Sequence, residues 1–140
     1  MTVGLGSCVG VALHDARRRI GGLAHIPLGN AGDFPQRNVD LNLAKFADTA
    51  VPALVCEMIK IGARKGSLRA KIAGGGQLFG QNSGMAVGER NVEAVRKALT
   101  GAGIPLVAED VGGTVGRTVR LLVGTGDFMV SSTDRKYKVL

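Results

Sequence analysis

Apolar residues follow two rhythms along this chain, and the switches between them mark the elements. Cys8 to His14 and Ile20 to Leu28 are nearly continuous apolar runs separated by Asp15-Ala16-Arg17-Arg18-Arg19. Two such runs joined by a charged connection of hairpin length predict an antiparallel pair of strands. Gly21-Gly22 in the second run is expected to ease a bulge or a close approach by the neighbouring strand. Gly29 to Asn42, punctuated by Gly, Asn, Asp and Pro, reads as a long loop. Ala44, Ala47, Val51, Leu54, Val55 and Met58 then keep the i, i+3, i+7 spacing of one buried helix face. Pro52 limits where that helix can start, because an interior proline loses a backbone hydrogen bond and clashes with the preceding turn. With Thr49 as N-cap, Pro52 falls at the third helical position, whose N–H has no helical partner. The helix is therefore predicted to begin at Asp48 or Thr49 and to end at Gly62.

Leu68 to Ala73 reads as a strand running into Gly74-Gly75-Gly76, and Val92, Val95, Ala98 and Leu99 mark a second helix ending at Gly101 or Gly103. Ile104 to Glu109, Val115 to Val123 and Phe128 to Val130 supply further strands, with turns at Gly112-Gly113 and Gly124-Thr125-Gly126; Tyr137 to Leu140 is a strand or a frayed end. Only two helices separate strands, which argues against a doubly wound parallel sheet. The expectation is an α+β fold, a mostly antiparallel sheet or sandwich carrying two helices. At 140 residues, the size prior makes residues 1–140 one domain.

Composition narrows the class. Aromatics are 4% with no Trp, so the core must be aliphatic. No apolar stretch approaches the ~20 residues that span a bilayer, and the N-terminus lacks a basic region followed by an apolar one, so no membrane insertion is expected. Two cysteines are too few for a secreted disulfide framework, and a reduced, cytoplasmic protein is expected. The net charge of +7 raises a nucleic-acid partner, but the basic residues are dispersed. Their one tight cluster, Arg17 to Arg19, falls in a turn, and no aromatic-interleaved basic stripe is present. No nucleic acid is expected; an acidic protein partner fits the charge.

The candidate chemistry lies in Thr2 to Cys8, Thr-Val-Gly-Leu-Gly-Ser-Cys, where small residues leave a thiol accessible on the lip of a strand. A free Cys is more often a small buried hydrophobe. As a nucleophile it needs a base, since a thiol of pKa about 8.5 is mostly protonated at neutral pH. His14, beside Asp15, reads as a solvated turn residue. His25 sits in an apolar run, where a hydrogen-bonded core role is the common one. Its strand, however, pairs with the strand of Cys8, and an antiparallel neighbour brings side chains to about 5 Å. A Thr hydroxyl such as Thr2 can orient the imidazole. Cys56, inside the first helix next to its apolar face, reads as a packing thiol. Two Cys and two His without ligand spacing make no zinc site, and the triple glycine lacks the Gly-Lys-Ser/Thr of a P-loop, so no metal or cofactor is expected. Gly6-Ser7-Cys8-Val9-Gly10 matches a nucleophile elbow with Cys for Ser, but a strand follows where that motif needs a helix.

Thr2 to Val9 (TVGLGSCV), Ile20 to His25 (IGGLAH), Ala47 to Val51 (ADTAV), Ala70 to Gly75 (AKIAGG), Gly88 to Val92 (GERNV) and Ala108 to Gly113 (AEDVGG) run through nearly the whole chain. With Gly116-Arg117 and Thr125-Gly126, and with 17 positions from Cys8 to His25, they resemble the CheD family of chemoreceptor glutamine deamidases in order and spacing. The resemblance implies an α+β sandwich like that of the cytotoxic necrotizing factor deamidase toxins. It also implies hydrolysis of receptor glutamine amides to glutamate through a thioester. Carried over, Cys8 is the nucleophile, His25 the base and then the acid, and Thr2 the residue that orients His25. The implied partners are the cytoplasmic helical domains of chemoreceptors and the CheC phosphatase. A rival reading is a non-catalytic regulator of CheC; another is an N-terminal nucleophile hydrolase with Thr2 freed by loss of Met1. Family members usually carry a segment ahead of the threonine, so the expectation here is a misplaced start, or a missing edge strand that leaves Thr2 less firmly held.

Overall fold

The computed structural model describes residues 1–27, 46–77 and 87–140. In chain order these form β1 (Thr2–Leu5), β2 (Val9–Asp15), β3 (Ile20–Ile26), α1 (Ala47–Lys60), a 3-10 turn (Lys65–Ser67), β4 (Leu68–Gly74) and α2 (Val87–Gly101), then β5 (Leu106–Val111), β6 (Arg117–Leu121), β7 (Phe128–Ser132) and β8 (Tyr137–Val139). The loop expected from Gly29 to Asn42, and Ala44, lie outside the described residues.

β2 is the strand on which both cores are built. Its alternation sends Val9, Val11 and Leu13 to one face, where they join Ile72, Val51, Val95 and Leu99 under the two helices. Ala12 faces the other way, into a second core with Leu5, Val119, Phe128 and Val130. One sheet, in the order β3-β2-β4-β5, is thus covered by helices on one side and by the sheet β1-β6-β7-β8 on the other. The result is an α+β fold with two mostly antiparallel four-stranded sheets, as the sequence predicts. The β2–β3 hairpin holds unbroken register from Val9↔Ile26 to Asp15↔Ile20. Asp15 closes its turn: fully buried, the carboxylate accepts the backbone N–H groups of Arg64 (3.0 Å) and Arg18 (3.2 Å) and pairs with the Arg18 guanidinium. The Arg64 N–H, foremost among these, holds its carboxyl below the usual range.

Several expectations are corrected. Thr2–Leu5, for which no strand was expected, forms β1, an edge strand of its sheet, antiparallel to β6. β4 and β5 pair in parallel, with α2 as the crossover that a parallel pair requires. α1 starts at Ala47 with Phe46 as N-cap, so Thr49 lies inside it, its hydroxyl donating to the Phe46 carbonyl at 3.2 Å. Pro52 therefore sits in the second turn, inside the helix, on an exposed face. Cys56 is exposed, one turn beyond Pro52 on that outer stripe, and does not serve packing. Gly21-Gly22 makes no bulge. A Cβ on Gly22 would lie 2.6 Å from Leu54 Cδ1, and one on Gly21 would lie 3.0 Å from Leu121 Cδ2, so these glycines let α1 and the other sheet close on β3. His14 is not a solvated turn residue: its Nε2–H donates to the Val123 carbonyl at 2.7 Å, tying β2 to the end of the facing sheet.

Candidate active site

Gly6, Ser7 and Cys8 form the bend by which the chain leaves β1 in one sheet and enters β2 in the other. All three carbonyls of that bend are tied down. Gly76 N–H donates to Gly6 O (2.9 Å), the Asn91 side-chain amide to Ser7 O (2.9 Å), and Gly75 N–H to Cys8 O (2.8 Å). The triple glycine is a place of close backbone approach. A Cβ on Gly75 would overlap Val92, and one on Gly88 of α2 would overlap the Gly75 and Gly76 carbonyls. The glycines thus let the end of β4 fit between the thiol-bearing bend and α2.

Cys8 is half-buried against the inter-sheet core. Burial pushes its thiol above the ordinary value, and its own backbone N–H offsets this only in part. His25 stands opposite Gly10 on β3, so Cys8 is its diagonal neighbour on the same face. Such pairs lie roughly 7–8 Å apart, less between Cβ atoms, within reach of an imidazole. Where a Cβ on Gly10 would sit, methyls of Leu5 and Val119 approach to 3.1 and 3.3 Å, so glycine there lets the two sheets close at this end. His25 is exposed.

Thr2 reaches His25 from the other sheet: its Oγ1 lies 2.9 Å from His25 Nδ1. Strict alternation would put Thr2 and Leu5 on opposite faces of β1. Instead, Thr2↔Val119 and Leu5↔Arg117 pair with one extra residue on β1, a bulge that includes Gly4 at φ 70°. The bulge turns both side chains inward, Leu5 to the core and Thr2 to His25. The sequence-predicted residues Thr2, Cys8 and His25 therefore gather at one end of the sandwich, while His14 and Cys56 do not join them. Among the described residues, no group of three or more His, Cys, Asp or Glu is placed to hold a metal ion. No described helix is long and apolar enough to cross a membrane.

Sequence reasoning missed two supports. Arg117, buried, donates from Nη1 to the Gly74 carbonyl (3.3 Å) and from Nε to Asp110 (3.1 Å), which also accepts Lys138 Nζ (3.0 Å). Burial raises the Asp110 carboxyl, but the Lys138 and Arg117 hydrogen bonds outweigh it and the net direction is down. The other is Asn91, whose helical spacing with Val95 and Leu99 put a polar amide in a core stripe; that was the signal available. A groove of about 690 Å³ between α1 and α2, lined by Pro52, Val55, Ile59, Ala98 and Ala102, brings together no nucleophile and base.

Residues 32–132 match the family model described as CheD chemotactic sensory transduction. A Desulfitobacterium hafniense protein named probable chemoreceptor glutamine deamidase CheD is 47% identical over 143 residues, covering 100% of this chain and 87% of that relative. A Moorella thermoacetica protein of the same name is 47% identical over 144 residues, covering 100% and 84%. A Geobacillus kaustophilus one is 45% identical over 141 residues, covering 98% and 84%. Thr2, Cys8 and His25 precede the segment matched by the family model but fall within the span shared with the first two relatives.

Proposed function

The chain belongs to the CheD family, and from that membership and the geometry around Cys8 we propose that it hydrolyses the side-chain amide of chemoreceptor glutamines to glutamate, releasing ammonia. The observation that carries the reading is the 2.9 Å contact between Thr2 Oγ1 and His25 Nδ1, made on the strand beside Cys8. It occupies one ring nitrogen and leaves Nε2 for the thiol. For Nε2 to accept a proton, Nδ1 must carry the other; the Thr2 hydroxyl can accept that N–H, so the contact orients the ring and accommodates the tautomer that acts as base.

Cys8 Sγ attacks the γ-carboxamide carbon as its proton passes to His25 Nε2. The carbonyl oxygen takes up the negative charge, met by a backbone N–H near Cys8. Collapse breaks the C–N bond, His25 returns the proton to departing ammonia, and a γ-glutamyl thioester remains. Water, deprotonated by His25, then splits the thioester to glutamate and restores the Cys8 thiol. The exposed setting of His25 suits a glutamine presented on the surface of a receptor's cytoplasmic helical bundle, and the +7 charge favours encounter with an acidic one. In this reading the chain works in the cytoplasm as one domain, and CheC is a further partner. The test is mass spectrometry of a chemoreceptor cytoplasmic fragment incubated with the protein, together with an ammonia assay. Gln-to-Glu conversion at discrete sites with matching ammonia is expected; an unaltered fragment contradicts the proposal.

A further inference from the structure

We propose that Asn91 is a positioning residue that holds the thiol-bearing bend against the histidine strand, an inference that rests on the deamidase reading above. The β2–β3 ladder ends at the Val9↔Ile26 pair, and Cys8 lies one step beyond it. The residue that follows β3, Pro27, has no N–H with which to extend the ladder. Asn91 spans the gap: its Nδ2 donates to Ser7 O at 2.9 Å and to Pro27 O at 3.2 Å. One NH₂ group thus spends its two hydrogens on the residue before Cys8 and on the residue two beyond His25. The amide is 2% exposed and rides on α2, which packs into the helix-side core. Burial of Asn91 is what makes the clamp stiff, since its two amide hydrogens have no water as a ready substitute for these carbonyls. Other side chains do the job less well. Aspartate has the same shape but accepts where donors are needed, serine offers one hydrogen on a shorter arm, and a buried lysine or arginine would bring an unpaired charge.

The experiment compares Asn91→Ser, Asn91→Asp and Val95→Ala for kcat, KM and Tm, using ammonia release from a purified chemoreceptor cytoplasmic fragment. Val95→Ala loosens the same helix without touching Ser7 or Pro27. Loss of positioning is expected to lower kcat by about tenfold to a hundredfold in Asn91→Asp, with a smaller fall in Asn91→Ser and KM unchanged in both. Val95→Ala keeps its kcat despite a comparable fall in Tm. If the Asn91 variants and Val95→Ala show equal kcat at equal Tm loss, or if Asn91→Asp turns over like the wild type, the clamp is overturned while the deamidase reading stands. Ammonia release that survives Cys8→Ala overturns the reading of the site itself.

Discussion

Gly74 lies so close beneath Cys8 that a Cβ built on it would overlap the Cys8 carbonyl oxygen. Its φ of 116° is also one that residues with side chains rarely adopt. The same carbonyl receives the Gly75 N–H, and the Gly74 carbonyl receives Gly112 N–H and Arg117. Gly74→Ala is therefore expected to cost on the order of 3 kcal/mol or more, from strain and overpacking together. Gly66→Ala, in open space without a positive φ, should be near neutral. Urea unfolding at unchanged m-value checks the pair.

Gly4 separates strain from contact. Nothing lies within 4 Å of where its Cβ would be, yet its φ is 70° at the β1 bulge. Gly4→Ala should cost about 1–2 kcal/mol from the left-handed backbone alone. It should also reduce turnover toward the level of Thr2→Ala, because relaxing the bulge turns Thr2 away from His25. Stability lost with turnover intact would show that the bulge does not serve the threonine.

The strands that carry Cys8 and His25 were legible because two apolar runs flank a charged turn, a local signal. β1 was not: Gly4 and Gly6 break any strand pattern there, and the pairing that makes Thr2–Leu5 a strand comes from β6, more than a hundred residues away. Pro52 misled the helix start because the sequence cannot show that the helix carries it on an exposed face of its second turn. Cys56 was misassigned for a related reason, lying one step from buried Val55 and two from buried Met58 on a helix whose rotation only packing fixes. Asn91 and Arg117 stood inside the motifs that carried the family resemblance, yet their roles needed three-dimensional partners, Ser7, Pro27 and Gly74, that no spacing reveals.

The raised Cys8 thiol makes a pH prediction. Desolvation favours the neutral form of the half-buried thiol, so under the proposed mechanism Cys8 enters the reaction as a thiol. Alkylation of Cys8 by iodoacetamide, followed by peptide mapping, should climb with pH to a midpoint above the ~8.5 of a free thiol. A reactive plateau below neutral pH would mean a preformed ion pair.

The central claim is that Cys8 and His25 work as one unit on the glutamine amide. It is tested most directly by Gln-to-Glu conversion of a receptor cytoplasmic fragment by Cys8→Ala, His25→Ala and the double variant, each verified as folded by circular dichroism. Members of one catalytic unit are strongly non-additive. Each single variant should fall to background, and the double should fall no further, while Cys56→Ala, changed at an exposed position, converts at the wild-type rate. Substantial conversion by folded Cys8→Ala, or single losses that multiply in the double variant, would contradict the account.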